Sequence, residues 1–433
     1  MKINSIETGR AQPTAVVLNM FYTGLGIARS LGAKRIPVVG LTSDRRIYGN
    51  LTRFAKVVLC PDSRTEPEAL AAFLTRLGRE LPRRGVIFPT RDDDLVFLDH
   101  FRRELEPYFT MVAPETEALE ICLNKWKTHL AAGEAGVPAP RAWLIEGADD
   151  AGRVAAEATY PCIVKPLAAH HWRKAGNWAL VGERKAIRVN SAQELLIEYN
   201  AVLRADHRVL VQEMIPGGDD TLAVAACYVD RQSRWAGGFN IQKLVQIPEG
   251  TGTGCIVQST DRQELFEPTA RLLQHIRFTG IAEVEYKWDE TVRGYKLIEI
   301  NPRPWDQHRL GAAAGADLIY MAYCDHAGLP VPQPGKAVAR QKWIADDAFL
   351  TAVLRMFWRR DPRLSTLLRQ ARGKRVFAIW SARDPMPFVA YLLRGSLPAV
   401  WRAGISRLAS IRKRLRWHKG FPDQKGVGVW EKP

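Results

Sequence analysis

A chain of 433 residues with 46% hydrophobic and 25% charged residues is an ordinary globular protein, long enough for two to four domains and without repeats or low-complexity segments. Its net charge of +16 sits almost wholly at the C-terminal end, where residues 351–433 carry 19 Lys and Arg against 4 Asp and Glu. This excludes long-range charge steering by the near-neutral body of the molecule and points to an anionic partner of the tail.

Residues 14–20 (TAVVLNM) read as a buried strand, and YTGLGIARSLG after it as a glycine turn opening a helix. IPVVGLTS (36–43), KVVLCPD (56–62) and GVIFPT (85–90) read as further strands separated by helical segments. This alternation predicts a parallel α/β domain with helices on both faces. The GLG turn is only a fragment of a dinucleotide fingerprint, because Arg29 stands at the third glycine position; it reads as a tight strand-to-helix turn. Thr90, Arg91, Asp92 and Asp93 follow the fourth strand, at the end where such domains bind ligands, although Thr90 or Asp92 reads more readily as a helix cap.

Residues near 118–140 read as one helix ended by Gly136 and Pro138. YPCIVKPL (160–167) is a short strand followed by a basic loop, AAHHWRKAGNWAL. RVLVQEMIPGGDD (208–220) is a strand that breaks at Pro216. TLAVAACYVD (221–230) and RWAGGFNIQKLVQI (234–247) read as antiparallel, and residues 280–303 as a hairpin turning at DETVRG. Six cysteines at 60, 122, 162, 227, 255 and 324 form no CxxC pair, so reduced thiols in a cytoplasmic protein are expected. The N-terminus lacks a charged region followed by an apolar run, and no 18-residue apolar stretch occurs. Neither a secretion signal nor a membrane span is therefore expected.

The chemistry concentrates in LIEINPRPWDQH (297–308), where a carboxylate, an amide and an arginine end a strand otherwise suited to burial. A buried charge is costly unless it is paired or binds a metal. Glu283 and Glu285 share one face of the first hairpin strand, and Glu299 and Asn301 one face of the second. If those faces coincide, oxygen ligands converge as Mg²⁺ requires, with Arg303 placed to hold a phosphate or carboxylate. Lys165 ends the CIVKPL strand beside the basic loop, which could close over a polyphosphate. His170 and His171 lie in that loop and make a poor metal pair. The extended segment Glu213, Met214 and Ile215 could hydrogen-bond an adenine edge through its backbone, with Asp219 or Asp220 accepting from ribose hydroxyls. Lys243 leads into a glycine loop holding Gly252 and Gly254 that could face an acceptor substrate.

These pieces, in this order over residues 15–310, resemble the ATP-grasp superfamily. The resemblance implies an N-terminal pre-ATP-grasp α/β domain (1–115) and an ATP-grasp domain (116–330) with a small lobe at about 140–220 and a large lobe at about 221–330. A basic, mainly helical region (331–433) follows. It implies that Lys125, in NKWKTHLAAGEAGVPAP, and Lys165 are nucleotide lysines. Glu213 to Ile215 would be the adenine hinge, Asp220 the ribose contact, and Glu285, Glu299 and Asn301 the metal ligands. Arg303 would stabilise the reacting phosphate and the intermediate. The loop after Lys165 departs from many relatives, carrying His171 and Trp172 in place of a glycine run.

The stretches GLGIARSLG, FPTRDDD and RDPMPF (383–388) are similar to bacterial carboxylate–amine ligases of the D-aspartate-ligase-like sort. That similarity implies ATP and Mg²⁺, with Mn²⁺ as a substitute, activating a small or lipid-linked carboxylate as an acylphosphate that an amine attacks. The alternatives are an ATP-grasp carboxylase or phosphotransferase and, in another class, a non-catalytic nucleotide-binding protein that docks on membranes. From residue 397, Leu397, Trp401, Ile405, Leu408, Ile411 and Leu415 form an amphipathic stripe among arginines. It fits a helix packed on the protein's own core or one lying on an anionic membrane surface at the inner face of the cell membrane. Nucleic acid is not expected, for no binding motif is present. The oligomeric state is not legible.

Overall fold

The first four apolar runs lie side by side in a parallel sheet, as expected of segments without polar alternation. The structure, a computed structural model, describes residues 12–173, 176–247 and 253–396. The strands are β1 (Ala15–Leu18), β2 (Val38–Thr42), β3 (Lys56–Leu59), β4 (Gly85–Phe88) and β5 (Phe109–Met111), in the order β3-β2-β1-β4-β5. Successive residues of β1 feed different apolar clusters: Ala15 and Val17 one, Val16 and Leu18 the other. Three-residue β5 is too short for its pattern to announce it.

The GLG glycines lie inside the helix Tyr22–Gly32 rather than in a turn. A Cβ on Gly24 would come within 1.8 Å of the Asn19 carbonyl oxygen, and one on Gly26 within 2.6 Å of His308 Nε2. Arg29, the residue that breaks the fingerprint, is buried and donates to Asp384 at 2.8 Å and to the Ile379 carbonyl at 2.8 Å. Thr52 and the Arg53 amide donate to the same carboxylate. Asp384 of RDPMPF therefore ties this segment to the parallel domain.

The single helix expected near 118–140 is two, Thr116–Leu123 and Lys125–Glu134. Asn124 leaves the helical region, and its side chain accepts from the amides of Trp126 and Lys127, capping the second helix. The break puts Lys125 in a first helical turn, with its amide on the Leu167 carbonyl just past the Lys165 strand.

A four-stranded antiparallel sheet follows, β6 (Ala142–Ile145), β7 (Cys162–Pro166), β8 (Ile187–Val189) and β9 (Val209–Glu213), in the order β6-β9-β7-β8. The third sheet has seven strands: β10 (Leu222–Val229), β11 (Trp235–Ile247), β12 (Thr253–Thr260), β13 (Gly280–Asp289), β14 (Gly294–Asn301), β15 (Lys342–Ile344) and β16 (Arg375–Phe377). Its order is β14-β13-β10-β11-β12-β15-β16. Beyond residue 330, in a region expected to be mainly helical, the helices Asp346–Arg359 and Leu364–Gln370 are joined by β15 and β16, which extend this sheet. All six cysteines are free thiols. No helix among the described residues is long and apolar enough to cross a membrane, and the basic stripe from Leu397 to Leu415 lies outside them.

Candidate active site

The third sheet has two unlike faces. Ala223, Ala225, Ala282, Val284 and Ile300 point into an apolar cluster with the helices Lys125–Glu134 and Phe266–His275. By strand alternation the other face carries Glu283, Glu285, Glu299 and Asn301. The register of β13 and β14 sets Glu283 opposite Asn301 and Glu285 opposite Glu299. Asn301 Nδ2 donates to Glu283 at 3.1 Å and to Glu299 at 3.4 Å.

Lys243 lies on β11, two strands away, and reaches over β10. Its Nζ is 2.9 Å from both oxygens of Glu285, with both side chains nearly buried. Val224 and Ala226, small residues opposite Glu285 and Glu283 on β10, leave room for that reach. Lys243 lies on the strand that leads toward residues 248–252, as expected, and its side chain stands among the carboxylates. Gly252 lies outside the described residues, and Gly254 is already within β12.

Burial raises the Glu283 carboxyl well above the ordinary range, and Glu285 adds to the rise. Burial acts the same way on Glu299, but the fields of Lys125, Lys165 and Lys243 outweigh it and hold that carboxyl below its usual value. Lys165 projects from β7 and donates to Gln212 Oε1 at 2.8 Å. Its burial, opposed by Glu299 and Glu285 and reinforced by Lys125, brings the ammonium down to about 8. Three lysines from three elements thus surround two carboxylates and an amide.

Arg303 is not free. Its Nε donates to Asp92 at 2.6 Å, so the residue that could have been a helix cap joins the parallel domain to the site. Asp92 is held below its usual value despite burial by Arg303, Arg173 and Lys125. The rest of the segment clasps the helix Tyr22–Gly32: Asp306 accepts from Thr23 Oγ1 at 2.9 Å, and His308 Nε2 lies 3.0 Å from the Thr23 carbonyl.

In the segment expected to be the adenine hinge, the Glu213 amide donates to the Arg141 carbonyl, and its carboxylate accepts from the Arg141 amide at 3.0 Å and lies 3.4 Å from Lys296. Met214 N lies 3.4 Å from the Pro161 carbonyl, and Ile215 is buried. Asp220 is exposed in a short 3-10 turn, its carbonyl accepting from Gln242.

The loop after Lys165, expected to be mobile, forms the short helices Ala169–Arg173 and Asn177–Leu180. Trp172 anchors it at 1% exposure, in the apolar cluster it shares with Val164, Val181 and Val211. His171 bonds Asp206 at 2.9 Å, and Asn177 donates to the carbonyls of His171 and Ala205. Sequence reasoning missed Lys185, whose ammonium is lowered first by burial and then by Arg173, while Glu299 and Glu285 oppose. A lone lysine before a three-residue strand gives no signal. The Gln212 side chain, which accepts from Lys165, orients that lysine.

Among the described residues no group of three or more His, Cys, Asp or Glu side chains is gathered as a metal cage. The carboxylates are turned toward Lys243 and Asn301. Two carboxylates plus an amide oxygen still fit Mg²⁺, which takes few protein ligands and completes its shell with water and phosphate oxygens. Lys243 already holds a cation against Glu285, so the position suits positive charge.

Residues 253–332 match the family of the carbamoyl-phosphate synthase L chain, ATP binding domain. The chain is similar to D-aspartate ligase of Enterococcus faecium, 22% identical over 70% of this chain and 73% of the relative. It is also similar to D-alanine–D-alanine ligase of Pseudomonas putida, 27% identical over 46% of this chain and 62% of the relative. In structure it resembles biotin carboxylase of Campylobacter jejuni, with a TM-score of 0.59 at 18% identity over 75% of this chain and 72% of that one. The matched ATP-binding segment, the ligase relatives and the shared fold all show a resemblance to ATP-grasp enzymes.

Proposed function

We propose that this protein is an ATP-dependent ligase that activates a substrate carboxylate as an acylphosphate and joins it to an amine, releasing ADP and phosphate. The observation that carries the reading is the cross-strand pairing of Glu285 and Glu299, with Lys243 2.9 Å from Glu285 and the fields of Lys125 and Lys165 acting on Glu299. Such a set can hold a nucleotide triphosphate and offset the charge that moves with its γ-phosphoryl group. On this reading residues 1–115, 116–330 and 331–433 are the pre-ATP-grasp domain, the two-lobed ATP-grasp domain and the basic region.

Adenine lies against Glu213, Met214 and Ile215, and Asp220 faces the ribose. Mg²⁺, or Mn²⁺ in its place, would be held by Glu285, Glu299 and Asn301 and would neutralise phosphate oxygens. Lys165 and Lys125 bind the phosphates. Arg303, oriented by Asp92, meets the oxyanion that forms when the amine attacks the acylphosphate carbon. The amine must arrive deprotonated.

The reading is tested by ADP release with panels of carboxylic acids and amines, using a carboxylate labelled with ¹⁸O. Transfer of one label to the released phosphate, dependent on the amine, is the expected result. ADP release without that transfer, or a stable phosphorylated product formed without amine, overturns the acylphosphate step.

The anionic-surface reading of the tail has a described counterpart. The helix Asp346–Arg359 exposes Phe357 and Trp358, each 62% accessible, beside Arg355, Arg359 and Arg360. Rings next to arginines suit the headgroup region of an anionic bilayer, where the enzyme would work from the cytoplasmic side on a lipid-linked substrate. Co-sedimentation with phosphatidylglycerol vesicles, absent with phosphatidylcholine, is the expected outcome; equal binding to both, or to neither, contradicts it.

A further inference from the structure

The edge strand β5 borders a second cleft that shares no residue with the nucleotide site. It has a volume of about 220 Å³, is open to solvent, and lies between the parallel domain and the large lobe. Arg84, which precedes β4, Arg102, Thr110 on β5, Arg231 in the β10–β11 turn, Thr279 and His326 line it. Three arginines from three separate elements converge here, although the first 350 residues are nearly neutral.

Two of these guanidinium groups are uncommitted. Arg102 donates to Asp99, to the Pro114 carbonyl and to Glu115. Arg84 and Arg231 have no side-chain hydrogen bond or ion pair among the described residues. His326 ends the helix Leu318–His326, and its carbonyl accepts from Thr110 Oγ1 at 3.1 Å. Both of its ring nitrogens are shielded from water and have no partner. Burial first, then the fields of Arg231 and Arg84, keep the imidazole neutral against the opposing pull of Asp325. A neutral ring offers one N–H donor, and buried donors are seldom left unmatched. Glu106 and Glu115 also border the cleft. Glu115 is paired with Arg102 and 73% exposed, so positive charge dominates the interior.

We propose that this cleft binds the phosphate group of a small phosphorylated molecule, with the Arg84 and Arg231 forks as donors and the neutral His326 ring at the wall. Guanidinium groups match tetrahedral oxyanions in bidentate geometry, and Thr279 adds a hydroxyl at the wall. A ligand there would bridge the parallel domain and the large lobe, away from the reacting groups.

The test uses the full chain with Mg·ADP present, so that added phosphate does not report on the nucleotide site. Histidine side-chain ¹⁵N–¹H spectra are recorded during titration with inorganic phosphate, and with sodium chloride at equal ionic strength. The His326 signals are assigned by their loss in His326→Asn. Saturable movement of those signals with phosphate by about 10 mM, and not with chloride, is expected. The Arg84→Ala/Arg231→Ala double variant should weaken the response at least about tenfold. No movement, equal movement with chloride, or an undiminished response in the double variant overturns the assignment.

Discussion

The two halves of LIEINPRPWDQH are positioned by different forces. Glu299 and Asn301 are set by strand register: β13 runs beside β14, and each acidic or amide residue faces its partner across one ladder. Arg303, Asp306 and His308 are set by another domain, through Asp92, Thr23 and the bare backbone at Gly26. The first half is local geometry that the alternation of residues announces. The second depends on side chains more than 200 positions away in sequence. Substitutions in the first half should abolish chemistry while sparing the fold, and those in the second should act through domain docking.

The sharpest break is expected from Glu299→Gln. It keeps size and removes the charge opposite Glu285, so turnover should fall by about 10²–10³-fold while the circular dichroism spectrum and melting midpoint stay close to wild type. Unchanged turnover would show that the hairpin face is not the site. Asp92→Asn tests the second half. Arg303 loses its charged partner, and kcat should drop by roughly 10- to 100-fold with little change in KM for ATP, because orientation rather than binding is lost. An unaltered kcat would show that Arg303 needs no support from the parallel domain.

A smaller effect is expected from pH. Lys165 loses its proton as pH rises through about 8, so Mg·ATP affinity should weaken above that value, by at most about tenfold per pH unit. Lys165→Arg, which stays charged, should flatten the profile measured by calorimetry. A profile that keeps its slope in the arginine variant would assign the titration to another group. The smallest effect on activity is expected from Gly26→Ala. The added methyl lies 2.6 Å from His308 Nε2 and 2.9 Å from Arg309 Cγ, and overpacking of this kind costs about 1–3 kcal/mol. Denaturant unfolding should register that loss, while turnover per folded molecule barely changes.

The same contrast explains what the sequence revealed. The parallel sheet, the hairpin and the alternation of Glu283 and Glu285 follow from short-range patterns of strand residues, and they were legible. The cap at Asn124 was hidden because an asparagine inside a helical run looks tolerable until its side chain is seen on the next two amides. The three-residue strands β15 and β16 carry too little pattern to announce themselves. Arg29 looked like a defect in a glycine motif and proved to be a buried partner of Asp384, 355 residues on. The loop after Lys165 carries His171 and Trp172 where many relatives have glycines, and Trp172 is buried, which stabilises by about 1.5–3 kcal/mol or more. Lys243 was found as a residue but not as a place, because its partner lies two strands away across β10.

The central claim is that the lysine-ringed face of β13 and β14 holds Mg·ATP. It is tested most directly by thermal unfolding with and without Mg·ATP, on wild type, Lys165→Ala and Glu299→Gln. Ligand at 100 times its dissociation constant should stabilise the wild type by about 2.7 kcal/mol, seen as a raised midpoint, and the shift should shrink or vanish in both variants. An equal shift in all three proteins, or none in the wild type at millimolar Mg·ATP, would contradict the account.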